Sequence, residues 1–190
     1  LASRESDVAG STKRLAAAAS RAGVRMMSHD DLTVAERARF RDLGANIAEF
    51  PVREIVAEAA IEAGDQTVFG APNVLRGGSH TGCPSATEMV LRGHCSILAS
   101  DYYYPSLLQA PFVLADRYGV SLPQAWDLVS RAPAMAAGLA DRGALRQGMR
   151  GDVILVERRG ALDAHVVCVV SNGTVVHIRD IERMQSASTQ

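Results

Sequence analysis

Lysine is almost absent from this chain. Lys13 stands alone, so the basic charge is carried by arginine, and the arginines are scattered rather than clustered. With a net charge of −1 they form no stripe for a polyanion, and no nucleic-acid partner is expected. Cysteine is sparse too. Cys83, Cys95 and Cys168 are odd in number and lack a C-x-x-C spacing, which argues against a disulfide framework or a zinc knuckle and fits a reducing cytoplasm. No apolar run reaches the length that spans a bilayer and no signal-peptide pattern opens the sequence, so no membrane role is expected. The first residue is Leu1 rather than methionine, and the chain is expected to be a piece of a longer protein. What is present is 190 residues of ordinary apolar content, enough for a substantial core.

The apolar segments alternate between two periodicities. Residues 1 to 9 are polar and read as irregular, after which Ser11 can cap a helix through Ala22 that stops at Gly23. Val24–Ser28 reads as a strand, and Thr33 to Glu36 is a capping box that opens a helix to Leu43. Ala45–Phe50 is the next strand, Arg53–Ala63 a helix, and Gln66–Gly70 a third strand. A helix from Ser85 leads to a fourth strand, Cys95–Ser100. Pro105 then starts a helix to about Tyr118, bent at Pro111, Ser121 to Gln124 opens another through Ala132, and Pro133 starts a further short one. From Gly143 the chain turns β-rich: Asp152–Glu157, His165–Ser171 and Thr174–Ile178 are strands, the last two flanking the hairpin signal Asn172-Gly173. Alternation of this kind makes an α/β protein with a parallel sheet. Four strands are too few for a closed eight-stranded barrel, so the sheet is either small and open or the second half of a barrel.

One stretch, Val68 to Ser85, is richer than a plain connector. Asn73, Arg76, Gly77, Gly78, Ser79, His80 and Gly82 fall within ten positions, and Ser85-Ala86-Thr87-Glu88 reads as a capping box. Glycines let the main chain approach closely and arginine presents a forked cation, so the loop suits a phosphate or carboxylate. All four strands also end in polar groups at the carboxyl side: His29-Asp30-Asp31, Glu49, Asn73 with its loop, and Asp101. That edge is where parallel α/β folds bind ligands. An imidazole with one or two carboxylates there can hold a divalent ion for hydrolysis, and Asp101 can accept a proton from water. His94, His165 and His177 read as structural or surface residues.

Taken together, Ser28-His29-Asp30-Asp31, Glu49-Phe50-Pro51, Gly70-Ala71-Pro72-Asn73, Arg76 through Gly82, Ser100-Asp101-Tyr102 and Pro105-Ser106-Leu107-Leu108 resemble the phosphonate-metabolism diphosphatases of the amidohydrolase superfamily. The resemblance runs from about Val24 to Ile178 and implies the second half of a (β/α)8 barrel over 1–142. Strands of a small β-sandwich follow over 143–180, and a flexible tail over 181–190. It implies hydrolysis of α-D-ribose 1-alkylphosphonate 5-triphosphate to the 5-phosphate and pyrophosphate, with a divalent metal, zinc in the first instance. By position, Asp101 matches a metal-contacting base and His29 a metal ligand, with Asp31 and Glu49 as further candidates. Asn73, Arg76, Gly77, Gly78, Ser79 and His80 are the expected substrate-binding set, for a small phosphorylated molecule. Two features depart from the superfamily pattern. The H-x-H pair and the carboxylate or modified lysine of the first half are missing, and Ala45 to Pro51 holds no histidine, so either Glu49 substitutes or fewer ions bind. The chain alone is therefore expected to be poorly active, and a homodimer could cover its open edges. The alternatives are another amidohydrolase, such as a deaminase or cyclic amidase, and a non-catalytic α/β module that binds an anion.

Overall fold

A computed structural model describes residues 2–77, 83–100 and 102–179, with side chains described from Val8 onward. Helix α1 (Ala2–Arg21) is followed by β1 (Met26–His29), α2 (Val34–Asp42), β2 (Ala45–Glu49), α3 (Glu54–Glu62) and β3 (Gln66–Gly70). Then come α4 (Ala71–Arg76), α5 (Ala86–Leu91), β4 (Ile97–Ala99), α6 (Ser106–Tyr118), α7 (Leu122–Asp127) and α8 (Arg131–Ala136). Strands β5 (Val153–Arg158), β6 (Ala164–Ser171) and β7 (Thr174–Ile178) complete it. The first four strands form one parallel sheet in sequential order, and the last three a separate antiparallel sheet. Among the described residues no helix is long and apolar enough to cross a membrane.

The expected strands are all present, each bound within two residues of the one expected, and the larger differences lie in the helices. Residues expected to be irregular at the start belong to α1, because a helix rich in alanine with arginines along it can extend through a polar, solvated first turn. The loop after β3 is interrupted by α4, which Pro72 helps to open and which ends at Gly77 with φ +76°. Of the two helices expected here, the one from Ser121 ends early, at Asp127, and the short one expected from Pro133 begins at Arg131. The expected tail, 181–190, lies outside the described residues.

Both faces of the parallel sheet are covered. On one, Phe69 and Leu98 pack with Ala57, Met89, Val113 and Leu114 from the surrounding helices; on the other, Ile47, Val68 and Ile97 pack under Ala136 of α8. Burial on both faces explains the apolar runs of the inner part of the sheet, Val68-Phe69 in β3 and Ile97-Leu98 in β4. The small sheet is tied to α6 by an ion pair between Arg158 and Asp116, by the Arg158 guanidinium over the Phe112 ring, and by Gln109 donating to the Leu162 carbonyl. Its hairpin turns at Asn172 and Gly173, with φ of +51° and +75°, as a two-residue turn requires.

The deepest polar feature is Arg37 of α2, whose side chain is 0% exposed. In the β1–β2 ladder Met26 pairs with Ala45 and Met27 with Ile47, so Asn46 is an extra residue. Arg37 donates to the carbonyls on both sides of it, Ala45 and Ile47. It also donates to Ser28 Oγ at 2.5 Å and to Asp31 Oδ2 at 3.1 Å, and its Nε lies 3.2 Å from Asp65 Oδ2. Arg41 shares Asp65 from the rim, with Nε at 2.7 Å. Removing the guanidinium would strand the buried Asp31 carboxylate and leave Asp65 with Arg41 alone. Arg37→Ala is expected to lower the unfolding free energy by about 3–5 kcal/mol, seen as a reduced urea midpoint at unchanged slope. Arg37→Lys should recover only part of the loss, since an ammonium cannot reproduce the fork.

A second cluster sits where the small sheet begins. The Arg150 guanidinium, and then the Asn172 N–H, hold the Asp152 carboxyl below its usual range. A depressed carboxyl contributes stability that is present above its unfolded value of about 4 and lost as the pH falls through the lower folded value. Asp152→Asn is therefore expected to flatten the acid limb of small-sheet unfolding below about pH 4, followed by circular dichroism between pH 6 and 2.

Candidate functional site

The carboxyl ends of β1 to β4 open on a cleft of about 260 Å³. Asp30, Phe50, Gly70 and Tyr102, each at or just beyond the end of a different strand, stand around it, with Arg76 at its rim and Pro51, Pro72 and Pro84 along its walls. A cleft with apolar walls and a few convergent polar groups is the usual form of a small-molecule site.

Two residues at its edge have unusual backbones. Asp30 and Phe50 follow β1 and β2 with φ of +58° and +52°. Their N–H groups bond to the Glu49 and Val68 carbonyls at 2.9 and 3.0 Å, so each remains tied to the next strand while its backbone turns. For phenylalanine this conformation costs on the order of 1 kcal/mol or more. The turn sets the Phe50 ring edge-on to His29, with centroids 5.4 Å apart.

His29 and Glu49 face one another across β1 and β2. His29 Nε2 lies 3.9 Å from Glu49 Oε2, while Nδ1 lies 2.9 Å from Asp30 Oδ2. A carboxylate on one ring nitrogen fixes the tautomer and leaves the other free to ligate, an arrangement common behind metal-binding histidines. His29 and Glu49 thus fit a divalent ion as two donors of nitrogen and oxygen type, with Asp30 as the orienting group. Among the described residues no three His, Cys, Asp or Glu side chains gather closely enough to form a complete metal site. Gly78, Ser79, His80 and Asp101 from the expected set lie outside the described residues.

Three expected site residues have other tasks. Asp31 is 1% exposed and points inward, where Ser28 Oγ donates to it at 2.7 Å and Arg37 pairs with it, so it is a buried counter-ion rather than the ligand expected at the strand end. Asn73 Oδ1 accepts from the Ala86 N–H at 2.9 Å and so caps α5, in place of the Ser85 side chain that the capping-box pattern suggested. The Gly77 N–H closes α4 on the Asn73 carbonyl at 3.2 Å, which occupies one of the amides expected to cradle an anion. Arg76 keeps the expected place at the cleft. Its guanidinium donates to the Tyr102 hydroxyl and lies 5.9 Å from that ring's centre. Phe50, Cys83 and Tyr102 also line the cleft, outside the expected site set. Cys95 is buried under the sheet, which pushes its thiol up to about 12 and leaves it without a nucleophilic role near neutrality.

The described fold matches those of solved amidohydrolase structures. It matches an amidohydrolase from Thermotoga maritima MSB8 with a TM-score of 0.64 and 18% identity, over 83% of this chain and 44% of that one. It matches an ochratoxinase of A. niger with a TM-score of 0.67 and 17% identity, over 90% and 45% of the two chains. The particular likeness comes from sequence. Over 145 residues, 75% of this chain, it is 44% identical to the alpha-D-ribose 1-methylphosphonate 5-triphosphate diphosphatase of Escherichia coli (strain K12), so the resemblance drawn from the motifs holds. The chain spans 38% of that relative's length. No family model matches it.

The Asn73 cap can be tested by stability, although Asn73 also lines the cleft. Asn73→Ala is expected to cost about 1 kcal/mol of stability, while Asn73→Asp, which keeps the acceptor, should stay near wild type in urea denaturation.

Proposed function

We propose that this chain forms part of a metal-dependent hydrolase that acts on a ribose 1-alkylphosphonate 5-triphosphate and releases pyrophosphate. The observation that carries the reading is the arrangement at one cleft: the Arg76 cation lines it, and the His29–Glu49 donor pair stands immediately before two of its lining residues, Asp30 and Phe50. The name of the curated relative supplies the substrate class. A deaminase or cyclic amidase would have less use for a guanidinium at the cleft.

In this reading His29 and Glu49 hold a divalent ion, zinc in the first instance, which when bound supplies Lewis acidity toward a phosphoryl oxygen and makes water a competent nucleophile near neutral pH. Asp30 keeps the His29 ring in its ligating tautomer, and Phe50 fixes the plane of that ring. Arg76 holds the triphosphate by charge-assisted hydrogen bonds, and the apolar walls limit bulk water. Asp101 takes the proton of the attacking water. The water oxygen bonds to the α-phosphorus, the bond from that phosphorus to the bridging oxygen breaks, and the electron pair leaves with pyrophosphate.

The four parallel strands are the second half of a (β/α)8 barrel over 1–142, and the antiparallel strands belong to a flanking sandwich over 143–180. The remaining ligands come from the part of a longer protein that this chain does not span, so the isolated chain is poorly active. It works in the cytoplasm, and a homodimer could cover the free edges of β1 and β4.

The test is pyrophosphate release from α-D-ribose 1-methylphosphonate 5-triphosphate by the longer protein containing this chain. Asp101→Asn is expected to lower kcat by about 10²- to 10⁴-fold, the usual worth of a positioned base. His29→Ala should lower activity together with bound metal measured by atomic absorption. A folded, metal-loaded protein that releases no pyrophosphate would sink the assignment.

A further inference from the structure

The Arg76–Tyr102 pair carries a further inference, which rests on the cleft being the substrate site. Tyr102 is 65% exposed, so burial does not hold it at the mouth of the cleft. Its partner is Arg76, from the other side of the β3–β4 crossing and 26 residues earlier, which donates to the phenol oxygen and lies over the ring. Both side chains line the cleft. A phenol that accepts from a guanidinium still has its own proton to give, whereas the guanidinium can only donate. The pair therefore presents two kinds of donor at one mouth, a charged N–H fork and a neutral O–H. A ligand that satisfies both must bring several acceptor oxygens, with negative charge toward Arg76. A terminal phosphoryl group does so.

We propose that Tyr102 is a specificity-determining residue of the cleft: it sets the Arg76 guanidinium at the mouth and gives its hydroxyl proton to the terminal phosphoryl group of a phosphorylated ligand. The aromatic ring restrains a long arginine side chain that would otherwise lose rotamer freedom on binding, so part of the cost of ordering it is met before the ligand arrives. Removing the hydroxyl while keeping the ring weakens polyphosphate binding, and does so mainly when Arg76 is present.

The experiment is a double-mutant cycle on the 190-residue chain, titrating inorganic tripolyphosphate by calorimetry, with circular dichroism to confirm that each variant is folded. Arg76→Gln is expected to weaken binding by at least about tenfold and Tyr102→Phe by about three- to tenfold. The double variant should fall well short of the product of the two, since the tyrosine acts in part through the arginine. Wild-type affinity in Tyr102→Phe, or strictly multiplicative losses, would overturn the role of Tyr102 and leave the cleft as an anion site. Absence of tripolyphosphate binding to the wild-type chain would overturn both this role and the reading of the cleft.

Discussion

One buried guanidinium organises the amino-terminal half of the sheet. Arg37 reaches from α2 to β1 through Ser28, to the turn after it through Asp31, to both sides of the Asn46 bulge in β2, and to Asp65 just before β3. A charge with no exposure is tolerable only because its donors meet acceptors on nearly every side. The acceptors come from three successive strand connections, so the arginine sets their relative height. The strand ends that form the cleft inherit that setting.

The same network decides which residues at the end of β1 can do chemistry. Asp31 is drawn inward to Arg37, and its carbonyl accepts the Val52 N–H at 3.1 Å, which joins the first turn to the second. Asp30, with its backbone turned to positive φ, is left at the cleft beside His29. Two adjacent aspartates thus take opposite directions, one as a counter-ion in the core and one as the partner of an imidazole. Asn73 makes a similar division farther along: its side chain holds α5 and its carbonyl ends α4, so the segment that carries Arg76 is fixed at both ends.

Much of this was visible in the sequence because it depends on local pattern. The parallel strands are short apolar runs punctuated by glycine, the hairpin is marked by Asn172-Gly173, and the polar ends of the four strands stand out against their apolar interiors. What stayed hidden is non-local. Nothing near Arg37 announces that Asp65, 28 positions on, faces it, and an arginine on a helix with charged neighbours reads as solvated. Asn73 capping Ala86 crosses thirteen positions, so the local Ser85 pattern was the natural but mistaken choice. Tyr102 belongs to a run of tyrosines to which the sequence alone assigns no role; its value lies in an arginine brought beside it by the fold.

Phe50 has a consequence for how this protein can change over generations. The position makes two demands at once, a backbone in the left-handed region and an aromatic edge against His29. Glycine or asparagine would meet the first and abandon the second, while leucine or isoleucine would meet neither. Tyrosine and tryptophan keep the ring and inherit the same strain. Substitution at this position is thus confined to a few aromatic residues, each of which must be carried by stability held elsewhere in the sheet. A lineage that weakened that reserve would lose its freedom here first, however well its cleft still bound a ligand.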